Sequence, residues 1–260
     1  MNILITGGNG YIAKSLSKSL DNSISITRKD FDLTDRHATN KWFEGKHFDV
    51  VIHTAVKGGS RLLVDGGNIF YENIQMFYNL LNNKHCFGKL INFGSGAELG
   101  MPSDPYGLSK NIISKIIDNE DNFYNIRIYG VFDENELDTR FIKSNIKRYI
   151  NKEPIKIHQD KLMDFFYMKD LIELVRHFIY KDNLPKNVDC TYDIDACYLS
   201  DIAYIINDLS DYKVEIKIGE GKGKKYIGDW NPININYIGL EQGIKETYKK
   251  LSNEEYQFLY

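Results

Sequence analysis

Cysteine is scarce in this 260-residue chain: Cys86, Cys190 and Cys197 form an odd set with no metal-ligand spacing. That argues against a disulfide-built scaffold and a cysteine-held metal, and reads as three reduced thiols in a cytoplasmic protein. No apolar run reaches the ~20 residues that span a bilayer. The first apolar strand begins at Asn2, so no signal peptide is expected. A net charge of −3 gives no electrostatic reason to expect nucleic acid or an acidic membrane surface as partner. Internal repeats and low-complexity segments are missing too. Hydrophobic residues make up 42% of the chain, enough for a sizeable core. The length fits one large α/β domain, or a nucleotide domain with a small cap.

What is present begins at residues 3–13, Ile3-Leu4-Ile5-Thr6-Gly7-Gly8-Asn9-Gly10-Tyr11-Ile12-Ala13. A short apolar run stops at two glycines and becomes an amphipathic pattern through Leu16 and Leu20. This predicts a strand, a tight turn and a helix. The unpaired N–H groups and partial positive charge of a helix N-terminus suit a pyrophosphate. Gly7 permits the turn, Gly10 lets a phosphate approach the backbone, and Ala13 lets the helix pack close to the strand.

Further strands are expected at Ile24–Thr27, Asp49–Ala55 and Lys89–Phe93, with helices ending at Phe43 and spanning Asn68–Asn82. Thr34 or Asp35 would cap the first of these helices. The end of the second strand bears on the cofactor. An acidic residue there would favour NAD, whereas Thr27 and Arg28 stand there, and a guanidinium matches a 2′-phosphate. Asp30 follows two residues on and leaves NAD open. Asp32 could meet the adenine amino group, beside Leu33. Small Thr54 and Ala55 at the end of the third strand, then Val56, fit beside a bound dinucleotide. His53 reads as a satisfied strand histidine. The loop Lys57-Gly58-Gly59-Ser60-Arg61 is basic and glycine-rich, suited to phosphate contact or to a solvated turn.

Gly94-Ser95-Gly96 ends the fourth strand, and Pro105-Tyr106-Gly107-Leu108-Ser109-Lys110 opens a helix with Ile112, Ile113, Ile116 and Ile117 on its buried side. Tyr106 and Lys110, four apart, share one helical face. An ammonium there favours tyrosinate and lowers the phenol from its free pKa of about 10. Such a phenol can donate a proton to a carbonyl while hydride arrives at carbon. Ser95 could hydrogen-bond the same oxygen.

These motifs, with Arg127-Ile128-Tyr129-Gly130-Val131-Phe132 and Asp164-Phe165-Phe166-Tyr167-Met168-Lys169-Asp170, make the chain resemble the extended short-chain dehydrogenases/reductases of the sugar-nucleotide epimerase/dehydratase/reductase group. The resemblance covers nearly the whole chain. It implies a nicotinamide cofactor, a nucleoside-diphosphate sugar substrate, Ser95, Tyr106 and Lys110 as the catalytic set, and Gly130 and Val131 beside the nicotinamide. It also places Gly7, Gly10, Tyr11, Ile12, Arg28, Asp32, Leu33, Thr54, Ala55, Val56 and Lys57 around the cofactor. Within the group, the segments 27–35 and 55–59 are similar to GDP-L-fucose synthases and dTDP-4-dehydrorhamnose reductases, which reduce 4-keto-6-deoxy sugars with NADPH. The bases that invert neighbouring carbons in the synthases are replaced by Ala97 and, with a gap in the alignment, Arg140. Gly96-Ala97 replaces the dehydratase Asp-Glu pair. The family arginine for the substrate pyrophosphate becomes Met163, with Lys161 as the candidate substitute. Ser95, Gly96, Ala97, Arg140 and Lys161 therefore form the expected substrate side.

The remaining pattern predicts helices at Leu137–Ile150, Met168–Tyr180 and Leu199–Leu209, the last capped by Ser200 or Asp201, and a final helix from Leu240. Strands are expected at Ile155–Ile157, Cys190–Ile194 and Val214–Ile218, with a basic, glycine-rich loop at Gly219–Lys225. Alternation of strands and helices predicts an α/β fold: a Rossmann doubly wound parallel sheet with a small C-terminal substrate-binding cap. Residues 1–153, with 164–195 returning to the sheet, would form the dinucleotide domain. Residues 154–163 and 196–260 would form the cap. Apolar surplus on helices 68–82 and 105–119 (Phe77, Tyr78 and the isoleucines) predicts a homodimer. The expected activity is NADPH-dependent 4-keto reduction without 3,5-epimerisation. The alternatives are a 4-epimerase with tightly held NAD and a non-catalytic NADP-binding sensor.

Overall fold

A computed structural model describes residues 1–59, 65–101, 103–193 and 196–257. In chain order the elements are β1 (Ile3–Thr6), α1 (Tyr11–Ser19), β2 (Ser23–Ser25), α2 (Arg36–Phe43), β3 (Phe48–His53), α3 (Asn68–Asn82), β4 (Phe87–Ser95), the short α4 (Ala97–Gly100), α5 (Pro105–Ile117) and β5 (Phe123–Ile128). There follow β6 (Val131–Phe132), α6 (Phe141–Ile150), β7 (Ile155–Ile157), β8 (Phe166–Tyr167), α7 (Met168–Tyr180), β9 (Asn187–Asp189), α8 (Leu199–Asn207), β10 (Ile216–Ile218) and α9 (Leu240–Gln257). They divide into two compact units: residues 1–128 with 174–189, and residues 129–173 with 190–260. The boundary thus falls after β5 rather than at 153. Residues 129–153 belong with the second unit because β6 pairs with β8, and β7 with β10.

The first unit holds a parallel six-stranded sheet in the order β2-β1-β3-β4-β5-β9. Continuous apolar strands suit a sheet covered on both faces, and Leu4, Ile5, Val51, Ile52, Leu90 and Ile91 are all fully buried. Phe43, Phe48, Phe77, Leu80, Phe87, Ile113 and Ile117 are buried in one hydrophobic cluster with Leu4, Val51 and Leu90. Chain order reverses between β1 and β3, and parallel sheets bind ligands in the crevice outside the carboxyl ends at such a switch point.

Several boundaries differ from the sequence pattern for local reasons. β2 stops at Ser25 because the Asp30 carboxylate accepts from Thr27 N–H at 2.8 Å and Thr27 Oγ1 at 3.1 Å, turning the chain. β4 runs on through Gly94 and Ser95, where a side chain on Gly94 would strike Asn125 Oδ1 at 2.6 Å. α6 starts at Phe141, not Leu137, since the buried Glu136 carboxylate accepts from Lys143 N–H at 3.1 Å and caps the helix there. The expected strand from Cys190 lies earlier, at Asn187–Asp189, where Asp189 pairs with Arg127 across the sheet. Ile194 lies outside the described residues. α8 ends at Asn207, whose side chain accepts from Val214 N–H at 2.9 Å and donates to Val214 O at 3.0 Å. At its start Asp201 accepts from Tyr198 N–H at 2.9 Å, while the Ser200 hydroxyl donates to Asp160 instead. Asp35 caps α2 as its side chain accepts from Ala38 N–H at 3.0 Å. β10 spans only Ile216–Ile218, the residues that pair with β7.

Candidate active site

The glycine turn lines a cavity of about 310 Å³ in the first unit. Thr6, Gly7, Asn9 and Gly10 form one side, Thr27, Arg28, Asp32 and Leu33 another, and Thr54, Ala55, Val56 and Lys57 a third. Gly7 adopts φ +71°, and a Cβ there would sit 2.7 Å from Ala55 Cα. Only glycine combines that conformation with so close a backbone approach. Gly10 N–H donates to Gly7 O at 2.8 Å and closes the turn. Gly10 caps α1 with no side-chain hydrogen bond, and the first turn carries no acidic residue. The helix start can thus receive an anion. Thr54 Oγ1 donates to Thr6 O at 2.6 Å, and Ala55 N–H donates to Thr6 Oγ1 at 3.2 Å, which fixes the β1–β3 edge. This cradle fits a dinucleotide.

The cavity gathers most of the residues expected to hold a cofactor: Gly7, Gly10, Arg28, Asp32, Leu33, Thr54, Ala55, Val56 and Lys57. Tyr11 and Ile12, the first residues of α1, are not among its lining. Arg28 is half-exposed and stands 4.0 Å from Asp32, a loose pair. Asp32 uses Oδ1 to accept from Thr34 N–H and Thr34 Oγ1 at 2.9 and 2.8 Å, and the first of these bonds holds its carboxyl below the usual range. Asn9, Phe31 and Met76 also line the cavity, and sequence reasoning missed them. The Asn9 signal was its place inside the glycine turn; Phe31 and Met76 carry no motif.

Ser95, Tyr106 and Lys110 lie on β4 and α5 of the same unit. Asp104 caps α5 by accepting from Tyr106 N–H at 3.0 Å, and Pro105 sits in the first turn where no donor is needed. Ser95 is buried, and its Oγ accepts from Ala97 N–H at 3.2 Å. Lys110 is buried, donates from Nζ to Phe93 O at 2.6 Å, and stands 5.9 Å from the centre of the Tyr106 ring. Burial brings the Lys110 ammonium down to about 8, against the pull of Glu98. The Tyr106 ring is covered by Gly59: a Cβ there, at φ +71°, would lie 2.7 Å from Tyr106 Cζ. Gly107 must be glycine too, because a Cβ would meet Met101 O at 2.0 Å. Of the basic loop, Ser60 and Arg61 lie outside the described residues. His53 is buried, with Nδ1 2.9 Å from Thr6 Oγ1. Burial first, then Lys110, lowers it to about 3, which fits a neutral strand residue.

A glycine cradle at the switch point and a tyrosine–lysine pair on α5 stand in one unit. The model of the NAD dependent epimerase/dehydratase family matches residues 3–190. The chain belongs to that family. Family members of this kind are NAD(P)-dependent oxidoreductases. A curated relative, CDP-abequose synthase of Yersinia pseudotuberculosis, is 22% identical over 96% of this chain and 100% of its own length. A GDP-mannoheptose C4 reductase from Campylobacter jejuni, solved with NADP bound, superposes with a TM-score of 0.77 at 16% identity, covering 96% of this chain and 98% of its own. The UDP-glucose 4-epimerase of Thermotoga maritima gives a TM-score of 0.77 at 17% identity over 98% and 100% of the two chains. At such identities the superpositions establish the shared fold.

The other expected family residues lie in different surroundings. Gly96 and Ala97 are buried after Ser95, with Gly96 N–H donating to Ile128 O at 3.1 Å. Gly130, Val131, Arg140 and Lys161 belong to the second unit. Gly130 faces Phe165 and Met163, at 2.9 and 3.0 Å from a Cβ built on it. Met163 is buried there. Arg140 stands at the N-cap position of α6. The Lys161 stem packs on Gly223, within 3.0 Å of a Cβ placed there. Among the described residues no cluster of histidine, cysteine and acidic side chains could hold a metal, and no helix is long and apolar enough to cross a membrane.

Proposed function

We propose that this family member reduces the 4-keto group of a nucleoside-diphosphate 4-keto-6-deoxy sugar with NADPH, and leaves the neighbouring carbons uninverted. The observation that carries the reading is the Tyr106–Lys110 pair at the start of α5, on one unit with Ser95 and the glycine cradle. Gly7 and Gly10 would hold the pyrophosphate, and Arg28 the 2′-phosphate that distinguishes NADPH. When bound, reduced nicotinamide supplies a hydride. Tyr106 donates its phenolic proton to the sugar carbonyl oxygen, and Ser95 Oγ hydrogen-bonds the same oxygen. Lys110, fixed by Phe93 O, favours the tyrosinate left behind. Buried Ala97 can neither give nor take a proton, which supports reduction without epimerisation.

The test is oxidation of NADPH, monitored with a panel of GDP-, CDP-, UDP- and dTDP-linked 4-keto-6-deoxyhexoses, for the protein and its Tyr106→Phe variant. Turnover with NADPH preferred over NADH, lost in the variant, is the expected result. No turnover across the panel sinks it. The similarity to a 4-epimerase supports a second reading on the same residues; that protein would purify with NAD and interconvert nucleotide sugars with no added reductant.

A homodimer through α3 and α5 belongs to the same proposal. Phe77, Ile113 and Ile117 are used in the core, so the apolar surface left for a partner is Tyr71, Tyr78 and Leu108, at 69%, 51% and 36% exposure. Light scattering of the protein and a Tyr71→Lys/Tyr78→Lys variant tests it: a dimer that falls to monomer is expected.

A further inference from the structure

Phe31 is the only aromatic side chain among the described residues that line the glycine-turn cavity. It is partly buried: it packs on the core cluster and still lines the cavity. What it packs on is a run of rings. Its centroid lies 5.0 Å from that of Trp42, with the planes 27° apart. Trp42 of α2 stacks in turn on Phe48 of β3, at 5.8 Å and 2°, and meets Phe43 edge-on at 5.2 Å and 85°. Phe43 and Phe48 are buried. The stack therefore runs from the core of the sheet to the cavity wall. A flat π system from a ligand can extend such a stack or meet its end edge-on.

The strap that carries Phe31 is pinned on both sides. Before it, the Asp30 carboxylate accepts from Thr27 N–H at 2.8 Å and from Thr27 Oγ1 at 3.1 Å. After it, Leu33 O accepts from the Asn79 side-chain amide of α3 at 2.8 Å, and Asp35 N–H donates to Asp32 O at 2.9 Å. The ring is thus in place before any ligand arrives, which lowers the ordering cost of binding. Ile26, Leu33 and Met76, which also line the cavity, are buried and apolar members of the core cluster.

Covalent connectivity decides which part of a dinucleotide meets this ring. In NADPH the adenine base and the 2′-phosphate hang on one ribose. Arg28, read above as the partner of the 2′-phosphate, lines the same cavity three residues before Phe31. A base carried by that ribose comes to the Phe31 wall. The nicotinamide half, beyond the pyrophosphate, does not.

We propose that Phe31 is the adenine platform of this chain: the base lies against its ring and extends the run Phe31–Trp42–Phe48. The proposal rests on the NADPH reading of the cavity given above and deepens it. A ring kept only to cover Trp42 would leave nucleotide affinity unchanged.

The test uses the full chain carrying Trp230→Phe, so that Trp42 is the only indole left. The probes are adenosine 2′,5′-bisphosphate, which is the adenine half of NADPH, nicotinamide mononucleotide and inorganic pyrophosphate. Trp42 emission is expected to shift with the adenosine probe and to hold with the other two. Calorimetry gives the affinities. Phe31→Leu keeps the apolar bulk and loses the π face, so it should bind the adenosine probe about tenfold more weakly. Phe31→Tyr should bind it close to the parent value, and pyrophosphate should bind all three alike. A folded Phe31→Leu that holds the adenosine probe as the parent does overturns the proposal. An equal loss for pyrophosphate overturns it too, since it would mark a ring that only shapes the wall. Should Phe31→Leu fail to fold, the parent decides: Trp42 emission unmoved by saturating adenosine 2′,5′-bisphosphate overturns the proposal. The expected loss in Phe31→Leu beside no turnover of any 4-keto sugar overturns the reductase reading instead and leaves the adenine platform standing.

Discussion

Asn73 of α3 donates its side-chain amide to Ser109 Oγ of α5 at 3.1 Å. The same amide holds the loop at Lys57, accepting from Lys57 N–H at 2.8 Å and donating to Lys57 O at 3.0 Å. Ser109 Oγ donates on to Tyr106 O at 2.7 Å. One buried side chain therefore ties a wall of the glycine-turn cavity to the first turn of α5, which carries Tyr106. Asn73→Ala leaves several buried groups unpaired and should cost about 1–3 kcal/mol per unsatisfied group. Ser109→Ala removes less and should cost less. Thermal unfolding checks the order, at about 2–4 °C per kcal/mol for a chain near this size. NADPH oxidation should fall further in Asn73→Ala than in Ser109→Ala.

Gly7 and Gly10 look alike as motif letters but differ in what they meet. A Cβ on Gly7 strikes Ala55 Cα at 2.7 Å at φ +71°, whereas one on Gly10 meets only Gly7 O at 3.2 Å. Gly7→Ala therefore carries both strain, about 1–2 kcal/mol for a left-handed non-glycine residue, and a backbone clash that parts β1 from β3. Gly10→Ala should fold normally and lose dinucleotide affinity alone. Melting curves with and without NADPH separate the two: both stability and binding fall in Gly7→Ala, only binding in Gly10→Ala.

Arg28 lines the cavity with its nearest acid loosely placed at 4.0 Å. A guanidinium so lightly engaged can turn to a 2′-phosphate. Arg28→Ala should weaken NADPH binding by about tenfold or more, the ~1.4 kcal/mol scale of one charge-assisted contact. NADH binding should stay nearly constant. Fluorescence titration of both cofactors reads the ratio, and an equal loss for both would remove Arg28 from the 2′-phosphate role.

What was legible in the sequence follows from how local each signal is. Short apolar runs marked β1, β3 and the Lys89–Phe93 centre of β4, and the period of α3 gave its span of Asn68–Asn82. The Gly7–Gly10 turn and the Tyr106–Lys110 spacing are likewise local, and both lie in the first unit. Strand and helix ends were less legible, because side-chain contacts outside the element's own period set them: Asp189 with Arg127 for β9, and Asn207 with Val214 for α8. The unit boundary at 128 depends on the pairing of β6 with β8, whose short strands carry no periodic signal. Asn73 was overlooked for a related reason: a polar residue inside an apolar helix shows its purpose only when its partners, 16 and 36 positions away, are known.

His53 gives a pH prediction with a definite sign. It is buried on β3, its Nδ1 lies 2.9 Å from Thr6 Oγ1, and burial followed by the Lys110 charge lowers it from 6.5 to about 3. The folded state holds the imidazole neutral, while the unfolded chain takes up a proton near 6.5. Its contribution to stability is therefore complete above 6.5 and is lost as pH falls from there toward 3, at about 1.4 kcal/mol per pH unit for one proton. His53→Gln has no such proton to gain. Denaturant unfolding between pH 7 and pH 4 should show a shallower loss of stability for the variant, even if the variant is the weaker protein at pH 7. Parallel slopes for the two would mean that His53 is protonated in the fold, and that the Thr6 contact, not a neutral imidazole, is what β1 and β3 require.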